Sequence, residues 1–155
     1  MDTASFKVLE YEKITHWLAS FAASVRGKER CRNVIPCGDY DERLHAETAE
    51  AVAIQQVQSP PFGGIYDLRT ILKKATMGSV LELDELRSVM STMGGMRNVK
   101  YFFRDLALDL SLLKEMARPI EILGTMERHL KDTIDEHGNF RDDASPELRR
   151  ITREL

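Results

Sequence analysis

Cysteine is scarce in this sequence, and long apolar runs are missing from it. The two cysteines, Cys31 and Cys37, match neither a CxxC redox motif nor paired zinc ligands, so reduced thiols are expected. No segment approaches the roughly 18 consecutive apolar residues of a membrane span, and the N-terminal residues lack the basic and apolar regions of a signal peptide. The expected location is the cytoplasm, without membrane contact.

The motifs of catalytic and metal sites are also missing. Gly94 and Gly95 do not form a phosphate-binding loop, because no Gly-x4-Gly-Lys-Ser/Thr pattern occurs and no strand precedes them. Glu42 and His45 form a single Glu-x-x-His pair, whereas a di-iron bundle needs two. A second group fits no zinc spacing: His129, Asp132, Asp135, Glu136 and His137. No catalytic residue, cofactor or metal is therefore expected in this chain.

The composition is that of a globular chain with a packed core. Hydrophobic residues make up 43% and charged residues 30%, a balance that argues against disorder. A chain of 155 residues suffices for one domain that buries about 70% of its unfolded surface. The net charge of −3 argues against binding of polyanions by the chain as a whole, although charge is unevenly distributed along it.

Hydrophobic periodicity predicts an all-α fold, a bundle-like core of several helices. In residues 8–23 an apolar stripe recurs at i, i+3, i+4 and i+7, which predicts an amphipathic helix: Ile14, Trp17, Leu18 and Phe21. Residues 83–105 carry a longer stripe of this kind: Leu86, Val89, Met93, Met96, Val99 and Phe103. Other helices are expected at 40–58 with Asp39 as N-cap, 67–75 with Asp67 as cap, 110–117, 120–134, and between Gly27 and Pro36.

Two further elements are predicted near the C-terminal end. Phe140 and Arg141 are expected to pair back on the segment before the polar turn at 135–139, which gives a short β hairpin near 134–142. Ser145, Pro146 and Glu147 supply an N-cap, an N1 proline and an early acid, and predict a helix start. We therefore expect a helical core over residues 1–144 and, over 145–155, the truncated start of a long helix that continues in a longer protein.

The segment Pro60-Pro61-Phe62-Gly63-Gly64 is predicted to form a corner. Its prolines fix φ and remove backbone donors, and its glycines permit left-handed turns, so neither a helix nor a strand can run through it. We expect the Phe62 ring to fill a pocket between the flanking helices, a burial worth roughly 1.5–3 kcal/mol. The alternative is an ordinary loop with one apolar anchor.

Three basic residues form a stripe on the predicted helix 83–105. Arg97, Lys100 and Arg104 recur at i, i+3 and i+7, so they share one side of the helix. Such a stripe either contacts the phosphates of a nucleic acid or is a solvated helix surface. The sequence leaves both interpretations open.

Several segments in this order resemble the N-terminal region of the bacterial MutS-II family, the MutS paralogues that lack the mismatch-reading domain. The resemblance covers the whole chain, and its structural signature is Pro60 to Gly64 with Asp67, Arg69, Ser145 and Pro146. The segments are Leu9-Glu10-Tyr11-Glu12-Lys13-Ile14, Gly27-Lys28-Glu29, Pro60-Pro61-Phe62-Gly63-Gly64-Ile65, Asp67-Leu68-Arg69, Gly78-Ser79-Val80-Leu81, Asp135-Glu136-His137-Gly138 and Arg141-Asp142-Asp143-Ala144-Ser145-Pro146-Glu147-Leu148-Arg149.

The resemblance implies a much longer parent protein. MutS-II proteins are similar to MutS in having a helical core, lever helices, a coiled-coil clamp and an ABC-type ATPase that dimerises and uses ATP and Mg²⁺, usually followed by a Smr nuclease-like domain. The family is associated with binding branched DNA to suppress homologous recombination, with DNA repair, and with splitting collided ribosomes through rRNA contacts.

Within such a parent, this chain would be the first part of the core domain, similar to MutS domain III, and Ser145 would begin a lever helix. It would transmit ATPase-driven movement and have no catalysis of its own. One alternative is a free-standing helical module that binds a partner helix along its Met-rich face or along the face of Arg97, Lys100 and Arg104; the Met-rich face comprises Met77, Met90, Met93 and Met96. The other is direct nucleic-acid contact through the face of Arg97, Lys100 and Arg104.

Overall fold

The computed structural model describes residues 8–36, 41–135, 139–141 and 144–145. Within these ranges the chain is helical, as predicted, and pairs as a sheet at one isolated bridge alone. The seven helices in these ranges are α1 (Tyr11–Ser20), α2 (Val25–Arg32), α3 (Glu42–Val57), α4 (Arg69–Thr76), α5 (Leu83–Asp105), α6 (Ser111–Ala117) and α7 (Gly124–Thr133). No described helix is both long and apolar enough to cross a bilayer.

Local signals set most of the helix bounds. The prediction for α5, residues 83–105, is confirmed at both ends. The predicted N-cap of α3 is wrong: the cap is Asp41 rather than Asp39, because the Asp41 carboxylate accepts a hydrogen bond from the Leu44 backbone N–H at 3.1 Å. Gly27 does not precede α2 but lies inside it, where its N–H donates to the Oγ of the N-cap Ser24 at 3.1 Å.

The chain divides into two compact units. Unit 1 comprises Met1–Gly63 and Val99–Pro119, and unit 2 comprises Gly64–Asn98 and Ile120–Leu155. Helix α5 therefore contributes its N-terminal part to unit 2 and its C-terminal part to unit 1.

In unit 1, α1 packs on α2, and the buried residues of α1 are small. Thr15 and Ala19 are the buried residues of α1. The predicted helix forms, but its apolar stripe is exposed: Ile14 by 54%, Trp17 by 68%, Leu18 by 44% and Phe21 by 71%. The neighbouring helix α2, with the sequence VRGKERCR, is mostly charged and contains no buried residue, so it forms no apolar core with these large side chains.

The rest of unit 1 is built on α3, α6 and the C-terminal part of α5. Its core includes Ile54, Phe103, Leu110 and Ala117, all buried. No side chain at the N-cap of α6 accepts a hydrogen bond. Instead Glu50, on α3, accepts from the backbone N–H groups of Leu112 at 3.1 Å and Leu113 at 2.8 Å.

Unit 2 contains α4, the N-terminal part of α5, and α7. The predicted stripe of α5 is confirmed, since its members are all buried or half-buried, with Met93 the most buried of those in unit 2. On α7 the buried residue is Glu127, and Ile134 is buried just after the helix.

The predicted β hairpin is reduced to one antiparallel bridge between Ile134 and Phe140. Helix α7 continues to Thr133, which leaves too little extended chain for a strand. Hydrogen bonds from Asp135 N to Asn139 O at 2.8 Å and from Arg141 N to Thr133 O at 2.9 Å flank the bridge. The residues between Asp135 and Asn139, and the predicted lever helix beyond Ser145, lie outside the described residues.

Candidate functional site

The corner at residues 60–64 forms, but Phe62 does not anchor it. The Phe62 ring is 41% exposed, so the predicted burial of this side chain is wrong. The turn is closed locally by a hydrogen bond from Phe62 N to Pro60 O at 2.9 Å. Gly64 has φ +75°, in the left-handed region where a side chain is unfavourable.

Two adjacent hydroxyl groups on α5 hold the chain that follows the corner. Ser91 Oγ donates to Gly64 O at 3.0 Å, and Tyr66 N donates to Thr92 Oγ1 at 3.0 Å. Thr92 is 5% exposed and its hydroxyl donates in turn to Ser88 O at 2.8 Å. A Cβ on Gly64 would lie 2.9 Å from Ser91 Oγ, so a side chain at this position would displace the Ser91 hydroxyl in addition to straining the backbone.

Sequence reasoning missed Ser91 and Thr92. Their signal is a pair of small hydroxyl side chains within the Met-rich middle of a helix, where a buried polar group needs a partner. Their partners, Gly64 O and Tyr66 N, are backbone groups of a segment rich in Gly and Pro. Backbone groups carry no side-chain motif that could be recognised in the sequence.

Asp67 and Arg69 interact with each other. The Asp67 carboxylate accepts from Arg69 N at 3.2 Å and from Arg69 Nε at 2.9 Å, and it also accepts from a terminal guanidinium nitrogen. Helix α4 begins at Arg69, and its N-cap Leu68 makes no side-chain cap bond. The prediction of Asp67 as the cap is therefore wrong by one position, because Asp67 supports the first turn of α4 from the residue before the N-cap.

Helix α4 is tied to α5 by an ion pair. Lys74 Nζ lies 2.5 Å from Glu85 Oε1, and the second Glu85 oxygen accepts from Glu82 N at 2.9 Å. The hydrogen bond from Lys74 is the main reason why the pKa of Glu85 lies below its usual value. Glu85 thus caps the start of α5 and binds α4 at the same time.

Arg97, the first residue of the predicted basic stripe, is paired with Glu127 of α7. Glu127 is only 6% exposed, and Lys131 Nζ lies 3.1 Å from its Oε1. Burial alone would raise the pKa of Glu127, but the hydrogen bonds from Arg97 and Lys131 outweigh it and hold the pKa below its usual value. Arg97 is therefore a structural cation of unit 2.

Arg97 also lines a cavity of about 680 Å³ in unit 2. Basic side chains dominate its charged lining: Arg87, Arg97, Lys131 and Arg141, against Glu127 and Asp135. Arg87 pairs with Asp84 at 2.7 Å, so much of this positive charge is balanced by carboxylates within the same unit.

Lys100 and Arg104 line a different cavity, of about 560 Å³, within unit 1. Lys100 Nζ donates to Arg118 O at 3.4 Å. Arg104 pairs with Asp105, Nε to Oδ1 at 2.6 Å, and its guanidinium lies 4.3 Å from the Tyr101 ring centroid. Lys114 and Arg118 also line this cavity. The structure therefore divides the predicted stripe between two sites.

The remaining signature residues are at the C-terminal end of the described chain. Ser145 lies in a bend, and Ala144 N donates to Arg141 O at 3.0 Å. Pro146 lies outside the described residues. Within the part of the chain that the structure describes, no group of three or more His, Cys, Asp or Glu side chains could hold a metal ion.

The described residues define an all-α region organised on one long helix. No model of a protein family matches the chain. Curated relatives do. Endonuclease MutS2 of Halothermothrix orenii is 32% identical over an alignment 166 residues long, which covers 100% of this chain and 21% of the relative. Endonuclease MutS2 of Halalkalibacterium halodurans is 35% identical, over 96% of this chain and 20% of that relative. Endonuclease MutS2 of Symbiobacterium thermophilum is 34% identical, over 100% of this chain and 20% of that relative.

The chain belongs to the MutS-II family, whose members include these MutS2 proteins, and the resemblance seen in its motifs is confirmed. It spans about one fifth of the length of the curated relatives that it matches.

Proposed function

We propose that this chain is the N-terminal core region of a longer MutS-type protein and that it transmits movement without catalysing a reaction. The similarity along essentially the whole chain to relatives about five times its length supports this placement. The relatives are named endonucleases. Nuclease activity, ATP and Mg²⁺ binding, dimerisation, and action on branched DNA or on ribosomes in the cytoplasm would belong to the parent protein as a whole.

One observation carries the proposal: α5 binds the other parts of unit 2 at three separate places along its length. These are the hydroxyls of Ser91 and Thr92 with Gly64 and Tyr66, the pair Lys74–Glu85, and the pair Arg97–Glu127. Contacts near the start, the middle and the later part of one helix resist bending of the loop and helices attached to it. A part that passes on movement needs this stiffness and needs no reactive groups.

The test uses the full-length parent protein with the substitution Thr92→Val. This change keeps the side-chain shape but removes the acceptor of the Tyr66 N–H. We expect ATP turnover without DNA to stay unchanged and its stimulation by branched DNA to fall several-fold. The matched control is Thr76→Val, because the Thr76 hydroxyl makes only a local bond, to Lys73 O at 2.9 Å. Full stimulation in a Thr92→Val protein would contradict the proposal.

A second candidate is nucleic-acid contact by the unit 1 cavity. Four basic side chains line it, Lys100, Arg104, Lys114 and Arg118, against the single carboxylate of Glu115. Lys114 donates to the carbonyl oxygens of Leu106 and Leu108. Lys100 donates to Arg118 O, and Arg104 pairs with Asp105. We therefore propose the guanidinium of Arg118 as the phosphate contact. Arg97 is not part of this proposal, since Glu127 engages it.

Salt dependence tests this second candidate. In the parent protein, Arg118→Ala should weaken DNA binding for all sequences and reduce the slope of log K against log salt by about one. Arg32→Ala, which removes an exposed arginine of α2, is the matched control and should leave the slope unchanged. An equal slope for both variants and the unaltered protein would rule out this contact.

A further inference from the structure

Helix α1 presents a continuous apolar surface that the described chain does not cover. Its residues are Ile14, Trp17, Leu18 and Phe21, between 44% and 71% exposed, and we call them the α1 face. The Trp17 and Phe21 rings meet edge to face, with centroids 5.5 Å apart. The two rings are therefore already arranged as one contiguous surface.

The packing of α1 explains why this face stays open. Thr15 and Ala19, on another side of the helix, are buried, and α2 is mostly charged. Large apolar side chains at i, i+3, i+4 and i+7 form the pattern of a helix that packs against an apolar neighbour. In unit 1 no described element supplies such a neighbour for these four side chains, as their exposures show.

The size of the α1 face favours an occupant from the same polypeptide. An aromatic side chain can bury 150–250 Å², so the two rings, at about 70% exposure, offer roughly 200–350 Å². Ile14 and Leu18, which are about half exposed, add a smaller area. A stable interface between separate molecules buries about 800 Å² per partner. A contact within one polypeptide avoids most of the entropy cost of association, and a smaller surface suffices for it.

We propose that the α1 face packs against an apolar stripe of a helix in the same polypeptide, outside these 155 residues. The inference rests on the proposed function, in which this chain is part of a longer protein. The curated relatives are about five times as long, so most of such a protein lies outside the structure. The ridge spacing of the α1 face fits the groove between ridges on a second helix.

Photo-cross-linking in the full-length parent protein tests the inference. Trp17 is replaced by benzoylphenylalanine, which keeps a large apolar ring, and the same probe at Val80, which is 92% exposed, is the control. Unlabelled and ¹⁵N-labelled subunits are mixed before irradiation, and the cross-linked peptides are sequenced by mass spectrometry. The isotope pattern tells a contact within one polypeptide from a contact between two copies.

The expected product joins position 17 to one segment outside residues 1–155, with both peptides carrying the same isotope. Three results would overturn the inference: mixed isotopes, which indicate a second copy; a cross-link within residues 1–155; or no product above that of the Val80 control. The proposed transmission of movement is tested separately, by the ATP turnover of Thr92→Val. Because the cross-link does not enter that measurement, the transmission of movement and the packing of the α1 face can each fail alone.

Thermal unfolding gives an independent readout. Phe21→Ser should lower the melting temperature of the full-length protein, whereas Val80→Ser should not. An exposed phenylalanine contributes little to stability, so an unchanged melting temperature for Phe21→Ser would also overturn the inference.

Discussion

Glu127 is a carboxylate held almost out of water between two cations. Arg97 binds it from α5, and Lys131 binds it from one turn further along α7. A carboxylate at this depth is stable only when it is paired, because removing one partner leaves a charge that water does not solvate. Arg97 therefore stabilises unit 2, because it neutralises the Glu127 carboxylate.

Glu127→Gln should destabilise the protein at neutral pH by about 1.5–3 kcal/mol, the value of a hydrogen bond to a charged group. The pKa of Glu127 is lowered in the folded state, so its stabilisation is present above the unfolded value of about 4.3 and is lost as pH falls through the folded pKa. Urea denaturation at pH 7 and at pH values below about 4 should show a difference that shrinks with acid.

The matched control for this titration is Glu121→Gln, an exposed carboxylate shortly before the same helix. Its effect should stay within about 0.5 kcal/mol at any pH. If Glu127→Gln and Glu121→Gln behaved alike, the ion pair would not be a stabilising contact.

Replacing glycine with alanine should change the stability in opposite directions at two positions. Gly94 lies within α5, and Gly64 is hydrogen-bonded to it through Ser91. At Gly94 an added Cβ meets nothing within 4 Å, and alanine is better than glycine in a helix by about 1 kcal/mol, so Gly94→Ala should raise the melting temperature. At Gly64, φ +75° and the 2.9 Å approach to Ser91 Oγ make Gly64→Ala destabilising, by about 1–2 kcal/mol from the backbone alone. Equal effects of the two changes would contradict this account of the corner.

At the scale of elements, helix ends in this chain are satisfied by other helices as well as by local caps. Glu50 of α3 accepts from the first turn of α6, and Lys114 of α6 donates to carbonyl oxygens just beyond the end of α5, those of Leu106 and Leu108. These bonds place the short helix α6, which has no side-chain cap of its own, within unit 1.

Glu50→Ala should therefore destabilise unit 1 by about 1–2 kcal/mol, the usual cost of losing an N-cap. Glu50→Gln keeps a carbonyl oxygen that can accept one of the two N–H groups, so we expect a smaller loss. Hydrogen exchange of the Leu112 and Leu113 amides should rise in the order unaltered protein, glutamine variant, alanine variant. Unchanged exchange in the alanine variant would show that α6 does not depend on this cap.

The sequence predicts elements better than it predicts their buried faces. The bounds of α5 follow from a long local stripe, and they match the structure. The exposed face of α1 could not be predicted, because burial depends on what a neighbouring helix offers, and α2 offers charge. The same holds at the corner, where the prolines and glycines predict a turn but its anchors, Ser91 and Thr92, are distant in sequence.

At the scale of the whole molecule, the basic stripe shows the limit of reading one helix in isolation. Arg97, Lys100 and Arg104 share a side of α5 by their spacing, yet Arg97 is bound by Glu127 in unit 2 and the other two line a cavity in unit 1. Partners from α7, and the carbonyl group of Arg118, decide their roles. The family, in contrast, was recognisable because its motifs are short and local.

In the proposed function, unit 2 moves as one stiff body within a MutS-type parent. Electron paramagnetic resonance distance measurement tests it, with spin labels at the exposed residues Met77, after α4, and Met126, on α7, in the full-length protein. We expect the same narrow distance distribution with and without ATP, and a broader one after Thr92→Val. A distance between these two labels that shifts when ATP binds would contradict the claim, because unit 2 would then deform instead of transmitting the movement.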